Sequence, residues 1–251
     1  MEFNPDPLFW VLCTIAVLTT GISKGGLGIA GGLSVPILAL IMSPVQAAAI
    51  MLPILIVMDW VGVWAYRRDW DRKNMAIILP AGIVGIAIGW ITFKYLNENM
   101  IRIILGVIAV SFVLHAIFKP QSPPTKPSAI KGWFWSSLSG LTSFIAHSGG
   151  PPLSVYMLPQ RLPKALHVGT TVIYFTAINL VKVIPYLALG LFSMPNITTS
   201  IVLAPLGAAG ILIGLWVQKK LPTLWFFRVS YAALGLTGLK LLYDGVVRLP
   251  T

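Results

Sequence analysis

The sequence predicts an all-α polytopic membrane protein of two inverted repeats, each a broken or re-entrant helix pair followed by three spanning helices. Three observations predict it. Of 251 residues, 57% are apolar and only 10% are charged, against about 25% charged in an ordinary soluble domain. The apolar residues gather into successive runs, most of them near the roughly 20 residues a helix needs to cross a bilayer. Polar and glycine motifs of the first half return in the second.

Taken in order, the run at 8–22 would reach only about 22 Å as a helix, short of the ~30 Å hydrocarbon core. It ends in the polar, glycine-rich Ser23-Lys24-Gly25-Gly26, so with the run at 26–42 it reads as a broken pair rather than two ordinary spans. The runs at 44–66, 75–93 and 100–118 are full spans. A proline- and serine-rich stretch, 119–131, reads as a cytoplasmic linker. The run at 132–146 is again short and ends in His147-Ser148-Gly149-Gly150-Pro151-Pro152. Runs at 163–191, 197–217 and 224–242 complete the chain. The expected division is therefore a first transmembrane repeat at 1–118, the linker at 119–131 and a second repeat at 132–251.

The repeats are visible residue by residue. At one offset, Ser23-Lys24-Gly25-Gly26 falls on His147-Ser148-Gly149-Gly150; at a slightly smaller one, Leu33-Ser34-Val35 falls on Leu153-Ser154-Val155 and Asp59 on Asn179. Pro80, Gly82, Gly85, Gly89 and Lys94 likewise fall on Pro205, Gly207, Gly210, Gly214 and Lys219. An odd number of crossings per repeat makes the two inverted. The positive-inside rule agrees, because the loops this topology makes cytoplasmic hold Arg67, Arg68, Arg72, Lys73, Lys119, Lys126, Lys131, Arg161, Lys164, Lys219 and Lys220. Lys94 and Arg102 are mild exceptions. Both termini are expected outside, in a bacterial inner membrane. The first residues carry Glu2 and Asp6 but no basic residue, unlike a signal peptide, so the first run is expected to remain.

The net charge of +11 therefore reports topology rather than nucleic-acid binding, which would interleave basic and aromatic residues on an exposed face. The single cysteine, Cys13, permits no intramolecular disulfide or cysteine metal cluster. Gly26-Leu27-Gly28-Ile29-Ala30-Gly31 matches G-x-G-x-x-G but lacks the strand, helix and acid of a dinucleotide site. No cofactor or metal is expected. Gly82, Gly85, Gly89 and their counterparts read as small-residue helix contacts, and such faces could also support a homodimer.

Inverted repeats with discontinuous helices place a substrate near the bilayer midplane, so the breaks locate the site. A half-helix starting after each Gly-Gly would present backbone N–H groups and a positive dipole end, which suits an anion. Lys24 is the leading anion ligand; the competing reading is a lysine reaching to the interface. Ser23, Gly25, Gly26, Gln46, His147, Ser148, Gly149 and Gly150 would complete the substrate site. Asp59 lies deep in its run, where an unpaired acid is costly and functional roles are the default. With Asn179 and Lys182 it would line the path or carry a coupled proton. Lys182 could pair with Asp59 or touch the substrate, and a purely structural ion pair is the alternative. An intramembrane serine hydrolase with Ser148 as nucleophile needs a histidine base from His115 or His167, and the counterpart of Ser148 is Lys24. A cation carrier would need several embedded acids, and only Asp59 qualifies.

The motifs also resemble the TauE/SafE permeases, a multi-pass family associated with export of sulfite and organosulfur anions. The likeness covers nearly the whole chain. It rests on Ser23-Lys24-Gly25-Gly26-Leu27-Gly28 with Gly31-Gly32, on Ser43-Pro44-Val45-Gln46-Ala47-Ala48-Ala49 leading to Leu52-Pro53 and Met58-Asp59, and on His147-Ser148-Gly149-Gly150-Pro151-Pro152, Leu158-Pro159-Gln160, Thr170, Thr171 and Asn179. The resemblance implies a secondary carrier for a small anion, with ligands in the two glycine segments. The expected function is transport, most simply export, of a sulfur-containing oxyanion by alternating access.

Overall fold

A computed structural model of the chain describes residues 7–26, 34–93, 95–118, 125–220 and 223–247. These residues form ten α-helices: α1 (Pro7–Gly26), α2 (Ser34–Leu38), α3 (Pro44–Tyr66), α4 (Arg72–Phe93), α5 (Glu98–Phe118), α6 (Ala129–Ala146), α7 (Gly150–Met157), α8 (Lys164–Ala188), α9 (Met194–Lys220) and α10 (Thr223–Val247). A 3-10 turn, Leu158–Gln160, follows α7. Helix is what a backbone in lipid requires, since nothing else within one segment satisfies its N–H and C=O groups. Six helices, α1, α3, α4, α5, α8 and α9, contain stretches long and apolar enough to cross a membrane, and the chain is an integral multi-pass membrane protein.

Local chemistry sets several helix starts. Asp71, Asn97 and Ser193 each precede a helix and accept a hydrogen bond from the backbone N–H three residues on, at Asn74 (2.7 Å), Met100 (2.8 Å) and Asn196 (3.4 Å). These are N-caps for α4, α5 and α9. Pro44 begins α3, where its missing N–H has no intrahelical use.

One expectation needs correction. The helix expected to break at Ser23 continues through Lys24 and Gly25 to Gly26, about 30 Å in all. Its polar residues stay helical because Ser23 is buried and Lys24 has a carboxylate partner. Gly25 is kept small by α9, where a Cβ would strike the Ile211 backbone. The glycine faces close helix against helix, as expected. Gly85 and Gly140 hold α4 against α6, while Gly21, Gly210 and Gly214 hold α1 against α9. Those faces are occupied within the chain. The segment 27–33, Lys94, Lys119, Glu2 and Asp6 lie outside the described residues.

The break expected in the second half is present. His147 ends α6 in the left-handed region (φ 52°, ψ 23°), and the N–H groups of His147 and Ser148 return to the Ser143 and Thr142 carbonyls, a Schellman-type closure. α7 then restarts at Gly150 with prolines in its first turn. At eight residues, about 12 Å, α7 is too short to cross a bilayer.

α3 is the most enclosed of the spans. It packs on α8 and α9, and α8 packs in turn on α4. The pairs α1–α9, α4–α6 and α5–α10 surround that centre. Leu52, Leu55 and Met58 of α3 and Tyr174, Ile178 and Tyr186 of α8 belong to one apolar core. Two polar clusters are embedded in it.

Candidate functional site

The first cluster belongs to α1, α3 and α8. Asp59 is only 2% exposed, and both its oxygens are engaged. Oδ1 forms an ion pair with Lys24 Nζ, and Oδ2 accepts a hydrogen bond from Asn179 Nδ2 at 2.6 Å. A buried carboxylate needs this double satisfaction, because its desolvation is not repaid by a single partner. Of the alternatives open to Lys182, pairing with Asp59 is not what forms; Lys24 takes that place because α1, helical through Lys24, carries it to α3.

The second cluster belongs to α6 and α8. Lys182 follows Asn179 by almost one turn and is completely buried. Its Nζ lies 3.1 Å from the Ser143 carbonyl, 3.0 Å from Ser143 Oγ and 2.7 Å from His147 Nδ1. His147 Nε2 lies 2.9 Å from the Ala48 carbonyl of α3. A carbonyl can only accept, so Nε2 carries the imidazole proton and Nδ1 of the neutral ring is an acceptor. Among the described residues no carboxylate lies within ion-pair distance of Lys182.

Between the clusters is a cavity of about 40 Å³ available to the centre of a water-sized sphere. That is several times the ~10–15 Å³ needed to hold one water, enough for a compact ion. One wall is polar, from Ser23, Lys24, Ser143, His147, Thr171 and Asn179; Leu55, Val168, Val172 and Phe175 form the apolar wall, and Gly150 closes the cavity at the start of α7. Pro151 and Pro152 have no N–H, and the Leu153 N–H is bonded to the Gly149 carbonyl at 3.3 Å. Gly150 is thus the backbone donor left in that first turn.

The structure brings Ser23, Lys24, His147, Gly150, Asp59, Asn179 and Lys182 to this cavity or directly behind it. The other sequence candidates lie elsewhere. Gly25 packs on α9, and Gly26 is the last residue of α1. Gln46 is exposed in the first turn of α3. Ser148 is buried with its hydroxyl on the Ala146 carbonyl at 3.2 Å. The Gly149 carbonyl accepts from Ser139 Oγ at 2.7 Å. Sequence reasoning missed Ser143 and gave Thr171 and Phe175 no role. The signal was the spacing of Val168, Thr171, Val172, Phe175, Asn179 and Lys182, one stripe along α8 at helical period.

A bundle of membrane-crossing helices with two polar clusters around a small cavity is the build of a transporter. The chain belongs to the sulfite exporter TauE/SafE family, whose model matches residues 13–241. No curated protein and no solved structure matches it. Members of the family are transporters, not enzymes, and membership implies carriage of sulfite-type anions across the membrane. The serine hydrolase reading of Ser148 is therefore discarded.

Proposed function

We propose that the protein is a secondary transporter that exports a small sulfur-containing oxyanion, sulfite or an organosulfonate, across a bacterial inner membrane. The observation that carries this reading is Lys182, a fully buried amine with only neutral hydrogen-bond partners, behind a cavity whose wall includes Lys24 and His147. Lys24 uses one ammonium proton on Asp59, and an ammonium has three, leaving donors for substrate oxygens. Ser23, Ser143 and the Gly150 N–H orient those oxygens, His147 lines the cavity beside Lys182, and Asn179 lines the path.

Alternating access between two inverted repeats is the proposed cycle, with both termini outside and the 119–131 linker in the cytoplasm. The packing supports it. α1 lies on α9 and α6 on α4, so the first helix of each proposed repeat packs on the fourth helix of the other. Rocking one set against the other would expose the cavity to each side in turn.

The test is flux into proteoliposomes containing the purified chain, with sulfite, sulfoacetate, taurine, thiosulfate and a metal cation offered in turn and Lys24→Ala run in parallel. Flux of one sulfur oxyanion, reduced at least tenfold in Lys24→Ala, is expected. Cation flux, or anion flux untouched by Lys24→Ala, would reject the assignment.

A further inference from the structure

Asp59 is the obvious candidate for a coupled proton, being the acid buried at the centre of the bundle. The geometry argues against it. Both carboxylate oxygens are already held, one by a cation and one by an amide donor. Protonating Asp59 would break the ion pair and strand Lys24.

Lys182 is in the opposite situation. As an ammonium it has three protons and three acceptors within reach: the Ser143 carbonyl, Ser143 Oγ and His147 Nδ1. As a neutral amine it has two protons and one lone pair. Those two can stay on the Ser143 carbonyl and Nδ1, while the Ser143 hydroxyl turns to donate to the lone pair. Both protonation states are then fully hydrogen-bonded without moving a heavy atom. A buried group satisfied in either state can gain and lose a proton without stranding a polar atom.

The charges facing Lys182 are few. Lys24 on α1 and Asp59 on α3 cancel each other as a pair, and His147 at the end of α6 is neutral with its Nε2 proton on Ala48. The cluster therefore carries one positive charge when Lys182 is protonated and none when it is not. Ser143 and His147 both touch Lys182 and both line the cavity, so charge and proton route meet where the substrate would sit.

Building on the transport reading above, we infer that Lys182 and His147 form the proton-binding pair of the cycle: one proton joins the pair for each monoanion entering the cavity, and the two leave together. The step moves no net charge. Transport is then electroneutral, driven by a pH gradient and indifferent to membrane potential, and a monoanion is preferred to a dianion of similar size.

The experiment uses the full chain in proteoliposomes, with radiolabelled sulfite and methanesulfonate as probes under an imposed pH gradient or an imposed potassium diffusion potential. Methanesulfonate stays a monoanion throughout, so its coupling cannot come from its own titration. The wild type should accumulate anion toward the side that one-for-one coupling dictates, about tenfold per unit of pH gradient, and should ignore the potential. Lys182→Gln should retain anion exchange at a reduced rate but lose pH-driven accumulation. Lys182→Arg, which keeps the cation but cannot release it, should exchange anions and carry no net flux; it also guards against misfolding of the neutral variant. Accumulation that survives in Lys182→Gln, coupling lost only in Asp59→Asn, or flux that follows the potential would each overturn the inference while leaving an anion transporter in place. Absence of any anion flux in the wild type would instead overturn the transport reading, and this inference with it.

Discussion

Asn179 donates to the Asp59 carboxylate at 2.6 Å, across the contact between α8 and α3 and 120 residues further along the chain. One side chain thereby fixes the geometry of the Lys24–Asp59 pair, and three residues later the same helix presents Lys182 to His147. The two polar clusters share α8 as their common rail.

The ion pair gives the first prediction. Asp59→Asn leaves the Lys24 ammonium facing an amide in a buried site, and removing one partner of such a pair costs about 3–5 kcal/mol. Replacing both, as Lys24→Met with Asp59→Leu, removes the stranded charge and should recover most of that loss. Thermal unfolding of the detergent-solubilised protein checks the ordering. Neither variant should carry anion, and a double variant as unstable as the single one would show that the pair is not what matters.

His147 has a conformational duty as well as a chemical one, because it ends α6 at φ 52°. Asparagine is tolerated in that region and a β-branched residue is not. His147→Val should therefore be less stable than His147→Asn by about 1–3 kcal/mol. Both should lose anion uptake, since neither restores the imidazole opposite Lys182. Equal stability of the two would mean that α6 does not close as described.

A third prediction concerns close helix approach. In Gly140→Ala the new methyl would meet the Gly82 carbonyl, and in Gly85→Ala it would meet the Ser137 carbonyl. Backbone cannot yield as a side chain does, so each should destabilise by about 1–3 kcal/mol and reduce the yield of monodisperse protein. Gly235→Ala is the control, because its nearest neighbours are Val113 methyls at 3.8 and 3.9 Å. It should be neutral or slightly stabilising by helix propensity, up to about 1 kcal/mol.

The Asn74 and Gln160 side chains exchange hydrogen bonds at 2.9 and 3.2 Å, fastening the start of α4 to the turn after α7. Asn74 is fully buried. Gln160→Ala would leave its carboxamide without that partner, at about 1–3 kcal/mol, and should speed amide hydrogen exchange around Leu158–Gln160. Exchange no faster than in the wild type would remove the fastening role.

Much of the fold was legible because membrane spans write themselves in length and apolarity. The run at 44–66 became α3 with the same limits, and the His147 to Pro152 segment marked a real helix break. Lys24 shows where the reading failed. A lysine followed by a glycine pair reads locally as the break itself, yet α1 stays helical through them to Gly26 because Asp59 and the Ile211 backbone await it from elsewhere in the chain. The same tertiary fact decided which lysine Asp59 would take. Ser143 stayed invisible since one serine on a mostly apolar helix carries no local mark; only the lysine across from it gives it meaning. Gln46 shows the reverse, a conspicuous side chain that the fold leaves exposed at a helix start.

The pairing of α1 with α9 also constrains the order in which the molecule can be made. During synthesis α1 enters the bilayer first, while Gly207, Gly210 and Gly214, against which it will close, are still untranslated. At roughly 5–20 residues per second, the interval is on the order of ten seconds or more. Through that time Lys24 has already been offered to the membrane, so Asp59 on α3, which arrives much sooner, is its earliest native partner. The ion pair at the heart of the site would then double as a temporary chaperone for its own first helix.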